Sequence, residues 1–199
     1  MMKFFRPSPP PFLSENYKTW GREYKAKREG NASASFYWKT YSGQRVNKLI
    51  LQAFGLHADR CAFCDGGYPL GSSAQRTLEH FRPTSRYPRL AYVWHNLFVC
   101  CNCCQSAKGD RFDRRLLKPD TDDYSFERYF LANYRTGEIE INPMASDIDQ
   151  YRAQLTIKFY ELNDHGRPQS RLRGYRMYQD LIKDGKYQLD DFPYRFFLT

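Results

Sequence analysis

The sequence predicts a mixed α+β chain, because helix-like and strand-like runs alternate along it. Three observations carry that expectation. Val46, Leu49, Ile50, Ala53 and Phe54 recur at helical spacing within Gln44 to Phe54. Thr77 to Phe81 and Leu97 to Cys100 are short strand candidates, and a Pro-containing loop separates them. All six cysteines fall in two places, Cys61–Cys64 and Cys100–Cys104.

Taken in order, the first 15 residues are proline-stiffened and expected to be extended. Asn16 to Arg28 has helical character and ends at Gly30. The Gln44 to Phe54 helix follows, with Gly55 suited to a left-handed cap. Asp65 to Ser73 is a Gly-rich loop. Thr77 to Phe81 is the first strand, stopped by Pro83, and Leu97 to Cys100 is the second. A helix near Cys104 then carries Gln105 and Lys108. Tyr129 to Ala132 and Glu138 to Ile141 flank a turn containing Gly137 and form a hairpin. Ser146 is suited to cap a helix whose stripe is Ile148, Tyr151, Leu155, Phe159 and Leu162. A last helix spans about Ser170 to Lys183, with Gly185 beyond it.

Composition narrows the classes. Apolar residues make up 41% of 199, the proportion of a globular chain, and the 16 Tyr and 15 Phe mostly serve a core. Lys and Arg outnumber Asp and Glu by 31 to 22, a formal charge of +9 that favours polyanionic partners such as nucleic acid. No stretch approaches the roughly 18 consecutive apolar residues of a membrane span. Pro7, Pro9, Pro10 and Pro11 interrupt Met1 to Leu13, which excludes the apolar core of a secretion signal. A cytoplasmic protein is expected, in which clustered thiols stay reduced and act as metal ligands.

Cys61 and Cys64 form one C-x2-C pair. The second cluster offers two overlapping pairs, Cys100 with Cys103 or Cys101 with Cys104, and spacing alone leaves both open. Two such turns are the usual way to build a tetrahedral thiolate zinc site. Thirty-six residues lie between Cys64 and Cys101, so a structured segment must separate the pairs.

That segment and its continuation read Thr77-Leu78-Glu79-His80-Phe81-Arg82-Pro83, Trp94-His95-Asn96-Leu97, then Cys101-x2-Cys104-Gln105, with Lys108-Gly109-Asp110 after it. The series resembles the HNH, or His-Me finger, endonucleases. There an acidic-His pair and a Pro are followed by Asn-Leu, a C-x2-C turn about five residues on, and an Asn or His after it. The resemblance implies a ββα-metal core and selects Cys101 and Cys104, with Cys61 and Cys64, as ligands of a structural Zn²⁺. It implies His80 as general base, Glu79 as a ligand of catalytic Mg²⁺ or Mn²⁺, and Asn96 as the residue that ties the loop and orients His80. Gln105 stands where the family places Asn or His, so Gln105 or else Asp110 would complete the metal site. Arg82, Lys108 and Arg111 would contact phosphates.

Three units are expected: 1–57 as N-terminal arm and helices, 58–118 as the nuclease module, and 119–199 as hairpin and helical extension. Lys108-Gly109-Asp110-Arg111-Phe112, Thr136-Gly137-Glu138-Ile139, Thr156-Ile157 and Glu161-Leu162-Asn163 are similar to the HNH component of Septu-type anti-phage systems, also found beside some retrons. That resemblance implies a partner ATPase, with the N-terminal arm and the C-terminal helices as docking surfaces. The alternative is a zinc-stabilised binding or ATPase-regulating subunit without catalysis.

Overall fold

The computed structural model describes residues 1–66 and 76–198. Most of the expected Asp65 to Ser73 loop lies outside the described residues. Helix α1 (Pro11–Gly30) begins five residues before the expected Asn16, and the proline run explains why. Proline at the first helical position sacrifices an N–H that would have no intrahelical partner, and its fixed φ suits the helix. Pro10 is the extended residue that precedes it. Helix α1 buries Leu13, Trp20, Gly21 and Tyr24. Gly21 lies against the turn at Pro88–Leu90, where a Cβ would fall 2.5 Å from the Arg89 carbonyl oxygen.

Strands β1 (Thr40–Tyr41) and β2 (Gln44–Arg45) form a tight hairpin through Ser42 and Gly43, both at positive φ. Helix α2 (Val46–Ala53) follows directly and buries Val46 and Ile50. Strands β3 (Arg76–His80) and β4 (Leu97–Cys101) pair antiparallel, with Arg76 opposite Cys101 and His80 opposite Leu97. Helix α3 (Asn102–Lys108) leaves the end of β4 without a loop.

Alternation along this ribbon divides the interior in two. Leu78, Leu97 and Val99 enter a core with Trp20, Val46, Ile50, Phe54 and Trp94. Phe98 and Cys100 enter a second core with Phe63, Tyr124, Tyr160 and Phe197. A two-stranded ribbon is marginal alone, so apolar layers on both faces supply what the strands lack.

The second core is closed by helix α4 (Phe126–Tyr129), strands β5 (Phe130–Ala132) and β6 (Ile139–Ile141), and helices α5 (Asp147–Tyr160) and α6 (Arg167–Leu181). Ser146 caps α5, its hydroxyl accepting from the Asp149 N–H. The expected stripe on α5 holds only in part: Leu162 is buried and Leu155 and Phe159 pack against the core, but Ile148 is 70% exposed, Tyr151 is exposed, and Asp149, Ala153, Thr156 and Tyr160 face inward. Polar partners make that face possible. Asp149 accepts from Arg128 at 2.9 Å, and Thr156 donates to the Arg152 carbonyl at 2.8 Å. Beyond α6, Tyr194, Phe196 and Phe197 return into this core, and Arg195 pairs with Asp65 at 2.7 Å. The architecture is α+β, and among the described residues no helix is long and apolar enough to cross a membrane.

Candidate functional site

The two cysteine turns meet at the far end of the ribbon from His80. Ala62 donates its N–H to the Val99 carbonyl at 2.9 Å, which fixes the first turn against β4. Cys101 ends β4 and caps α3, its sulfur accepting from the Cys104 N–H at 3.4 Å. The four sulfurs of Cys61, Cys64, Cys101 and Cys104 lie within 4.8 Å of one another. A tetrahedron built on Zn–S bonds of about 2.3 Å has edges of about 3.8 Å, and Cys64 Sγ is 3.8 Å from Cys101 Sγ. The set can hold a metal ion such as zinc. Cys103 points outward, and Cys100 is a further buried sulfur outside the set, 3.9 Å from Cys61. The buried Arg167 donates to Cys104 Sγ at 3.3 Å. Burial works against its charge, but the thiolates around it hold the guanidinium above its ordinary range.

His80 is the last residue of β3, and its Nε2 lies 2.9 Å from the Ala91 carbonyl oxygen. A carbonyl only accepts, so the ring proton sits on Nε2 and Nδ1 is left as an acceptor. The imidazole stacks on Trp38 (centroids 5.3 Å, 16° between planes) and meets the Phe36 ring edge-on at 5.0 Å. Burial pulls its pKa down to about 4, with the Ala91 bond opposing and nearby Lys108 assisting.

Glu79 points to the opposite face of β3 and is 4% exposed. Its Oε1 accepts from the ammonium of Lys108, which is 0% exposed and also donates to the carbonyls of His80 (3.0 Å) and Gly109 (3.2 Å). Burial pushes the Glu79 carboxyl up to about 7 even though Lys108 pulls the other way. Lys108 is therefore turned inward as the counter-ion of Glu79 and reaches no phosphate in this conformation.

Asn96 is buried and bridges the segment after β3. Its Oδ1 accepts from the Arg82 N–H at 2.8 Å, and its Nδ2 donates to the carbonyls of Arg82 (3.1 Å) and Leu90 (3.0 Å). The Phe81 N–H meets the Asn96 carbonyl at 2.9 Å. Gln105 donates to the Leu78 carbonyl at 2.8 Å, which leaves its own amide oxygen for another partner. Asp110 is exposed, and its charge contributes to raising Glu79. Arg111 donates to the carbonyls of Ala107 and Phe159 and so joins the end of α3 to α5. Arg82 is exposed, its guanidinium 5.5 Å from the Phe112 ring centre.

Phe36 and Trp38, both packed on Tyr92, are neighbours of His80 that sequence reasoning missed. Phe36 and Trp38 precede it by more than forty residues, a separation at which no spacing rule operates. The abundance of aromatics was the only signal, and it pointed to a core. No family model and no curated protein matches the chain.

Proposed function

We propose that the chain is a metal-dependent HNH endonuclease that hydrolyses phosphodiester bonds of nucleic acid, DNA before RNA. The observation that carries the reading is the bond from His80 Nε2 to the Ala91 carbonyl, because it leaves Nδ1 as a neutral acceptor at a strand end. In this reading β3, β4 and α3 form the ββα core, and a structural Zn²⁺ on Cys61, Cys64, Cys101 and Cys104 fixes it.

The groups this reading assigns to a hard cation are each oxygens, the kind it prefers: Glu79 Oε2, and the Gln105 amide or the Asp110 carboxylate. Bound there, Mg²⁺ or Mn²⁺ would neutralise charge on the phosphate and stabilise the leaving 3′ oxygen. Lys108 holds the other Glu79 oxygen and keeps the carboxylate aimed. His80 Nδ1 takes the proton from the attacking water, and Asn96 keeps the loop after His80 in register. Arg82 is the exposed cation of the three expected at phosphates.

The test is cleavage of single- and double-stranded substrates with added Mg²⁺ or Mn²⁺, alone and with any co-purified ATPase. His80→Ala should lower the rate about 10²- to 10⁴-fold, the range for losing a general base. Undiminished cleavage by that variant would end the assignment. A non-catalytic binding or ATPase-regulating subunit draws support from the hold of Lys108 on Glu79 and from Gln105 donating to the backbone. It calls for binding without metal-dependent cleavage. Anti-phage action with a partner ATPase rests on the resemblance in the flanking motifs, and loss of protection in His80→Ala cells would support it.

A further inference from the structure

The geometry points to a substrate-binding residue outside the HNH motif: Tyr37 is a stacking platform for an unpaired nucleobase of the strand delivered to His80. Its part in cleavage rests on the nuclease reading, whereas the binding site itself stands on local geometry.

Phe36 and Trp38 turn inward and wall the imidazole of His80, at 5.0 and 5.3 Å between ring centres. Tyr37, between them, turns outward and is 70% exposed. Its backbone is held rather than free. The Tyr92 hydroxyl donates to the Tyr37 carbonyl at 3.3 Å and accepts from the Lys39 N–H at 3.2 Å. Arg28 donates to the Ala34 carbonyl at 3.2 Å and the Ser85 carbonyl at 3.3 Å, tying the same segment to α1 and to the loop after β3. An aromatic ring left in water on a fixed mount contributes little to the core, but it is preorganised for stacking.

Lys27, exposed near the end of α1, places its ammonium 5.5 Å from the Tyr37 ring centre. An aromatic face beside a cation is the combination that binds single strands, the ring taking the base and the cation its phosphate. Duplex bases already stack on their neighbours, so the platform favours an unpaired strand. Stacking does not read sequence, so weak base preference is expected.

The experiment is fluorescence anisotropy of the full chain as purified, its cysteine-bound metal retained and no Mg²⁺ or Mn²⁺ added, so that cleavage dependent on an added cation does not proceed. The probes are labelled oligothymidylate, labelled oligouridylate and a blunt DNA duplex. Tyr37→Ala should weaken single-strand binding roughly five- to a hundred-fold, the equivalent of one lost base stack. Duplex binding should change much less. Tyr37→Trp should keep wild-type affinity, and Lys27→Gln should reduce the salt dependence by roughly one phosphate contact. The two oligonucleotides decide between DNA and RNA as the source of the base. Circular dichroism and the denaturation midpoint check that the Ala variant folds, and Tyr37→Trp supplies a ring-bearing control. Unchanged single-strand affinity in Tyr37→Ala, an equal loss on duplex, or no single-strand binding by wild type would each overturn the platform. Because the readout is binding without an added catalytic cation, failure of His80→Ala to abolish cleavage would remove the nuclease reading and leave the Tyr37 result standing.

Discussion

Glu79 and His80 are adjacent in sequence, yet burial moves their ionisation in opposite directions. The Glu79 carboxyl is pushed up to about 7 and the His80 imidazole pulled down to about 4. For His80 the unfolded chain titrates near pH 6.5 and the folded chain near 4. Between those values the unfolded state binds more protons, so stability is full above about pH 6.5 and declines as pH falls toward 4. Glu79 works the other way, since its raised pKa lets the folded state hold a proton that the unfolded state releases. Wild type alone would therefore show a blunted pH profile. Comparison with His80→Gln isolates the histidine, because Glu79 is common to both proteins. Wild type should lose up to about 3 kcal/mol relative to His80→Gln between pH 7 and pH 4, measured by urea denaturation. Parallel curves for the two proteins across that window would show that His80 is not shielded as its contacts indicate.

At the scale of elements, the cysteine turns were the most legible feature, because short-range spacing marks both C-x2-C turns, although it left Cys100 with Cys103 and Cys101 with Cys104 equally open and only the resemblance chose between them. The end of β4 gathers Cys101 and Cys104 with Cys61 and Cys64, while Cys103 faces solvent. Metal analysis should find about one zinc per chain. Cys64→Ser and Cys104→Ser should lower the denaturation midpoint steeply and release the metal, because structural zinc contributes directly to folding free energy. Cys103→Ser should be nearly silent. Equal damage from all three substitutions would require a different ligand set. Helix α5 was legible in position and cap but not in orientation. Its inward face holds Asp149 and Thr156; Arg152 lies within helical spacing of both, but Arg128, which binds Asp149 at 2.9 Å, lies outside the helix and beyond any helical spacing. The aromatic wall of His80 was illegible for the same reason on a larger scale. Phe36 and Trp38 meet His80 at the end of β3 through tertiary packing, and Tyr24 of α1 meets Phe36 edge-on at 5.1 Å. Element boundaries follow local chemistry, whereas the choice of buried face follows whatever the rest of the chain brings near.

For the whole molecule, the N-terminal arm is a strap that joins both cores. Phe4 donates its N–H to the Pro119 carbonyl at 3.2 Å and packs edge-on against Phe98 at 6.0 Å. Arg6 binds Asp120 at 2.6 Å and donates to the carbonyls of Trp94 (2.9 Å) and Leu97 (2.7 Å). Its guanidinium also lies 4.3 Å from the Phe98 ring centre. These two carbonyls bracket Asn96, so the strap reaches the turn that positions the segment after His80. Both ionic side chains are nearly inaccessible, at 5% and 3% exposure for Arg6 and Asp120. Removing one partner of a buried pair costs about 3 to 5 kcal/mol, because the remaining charge stays desolvated. Lys118, 3.7 Å from Asp120, compensates in part. Arg6→Ala should therefore lower stability by about 3 kcal/mol, as a single cooperative transition with an unchanged urea m-value. Arg6→Lys should recover little, since an ammonium cannot span the carboxylate and two carbonyls while stacking on Phe98. A loss below about 1 kcal/mol in Arg6→Ala, the scale of an exposed ion pair, would make the arm peripheral. A separate early transition would instead show that the two cores unfold independently of the strap.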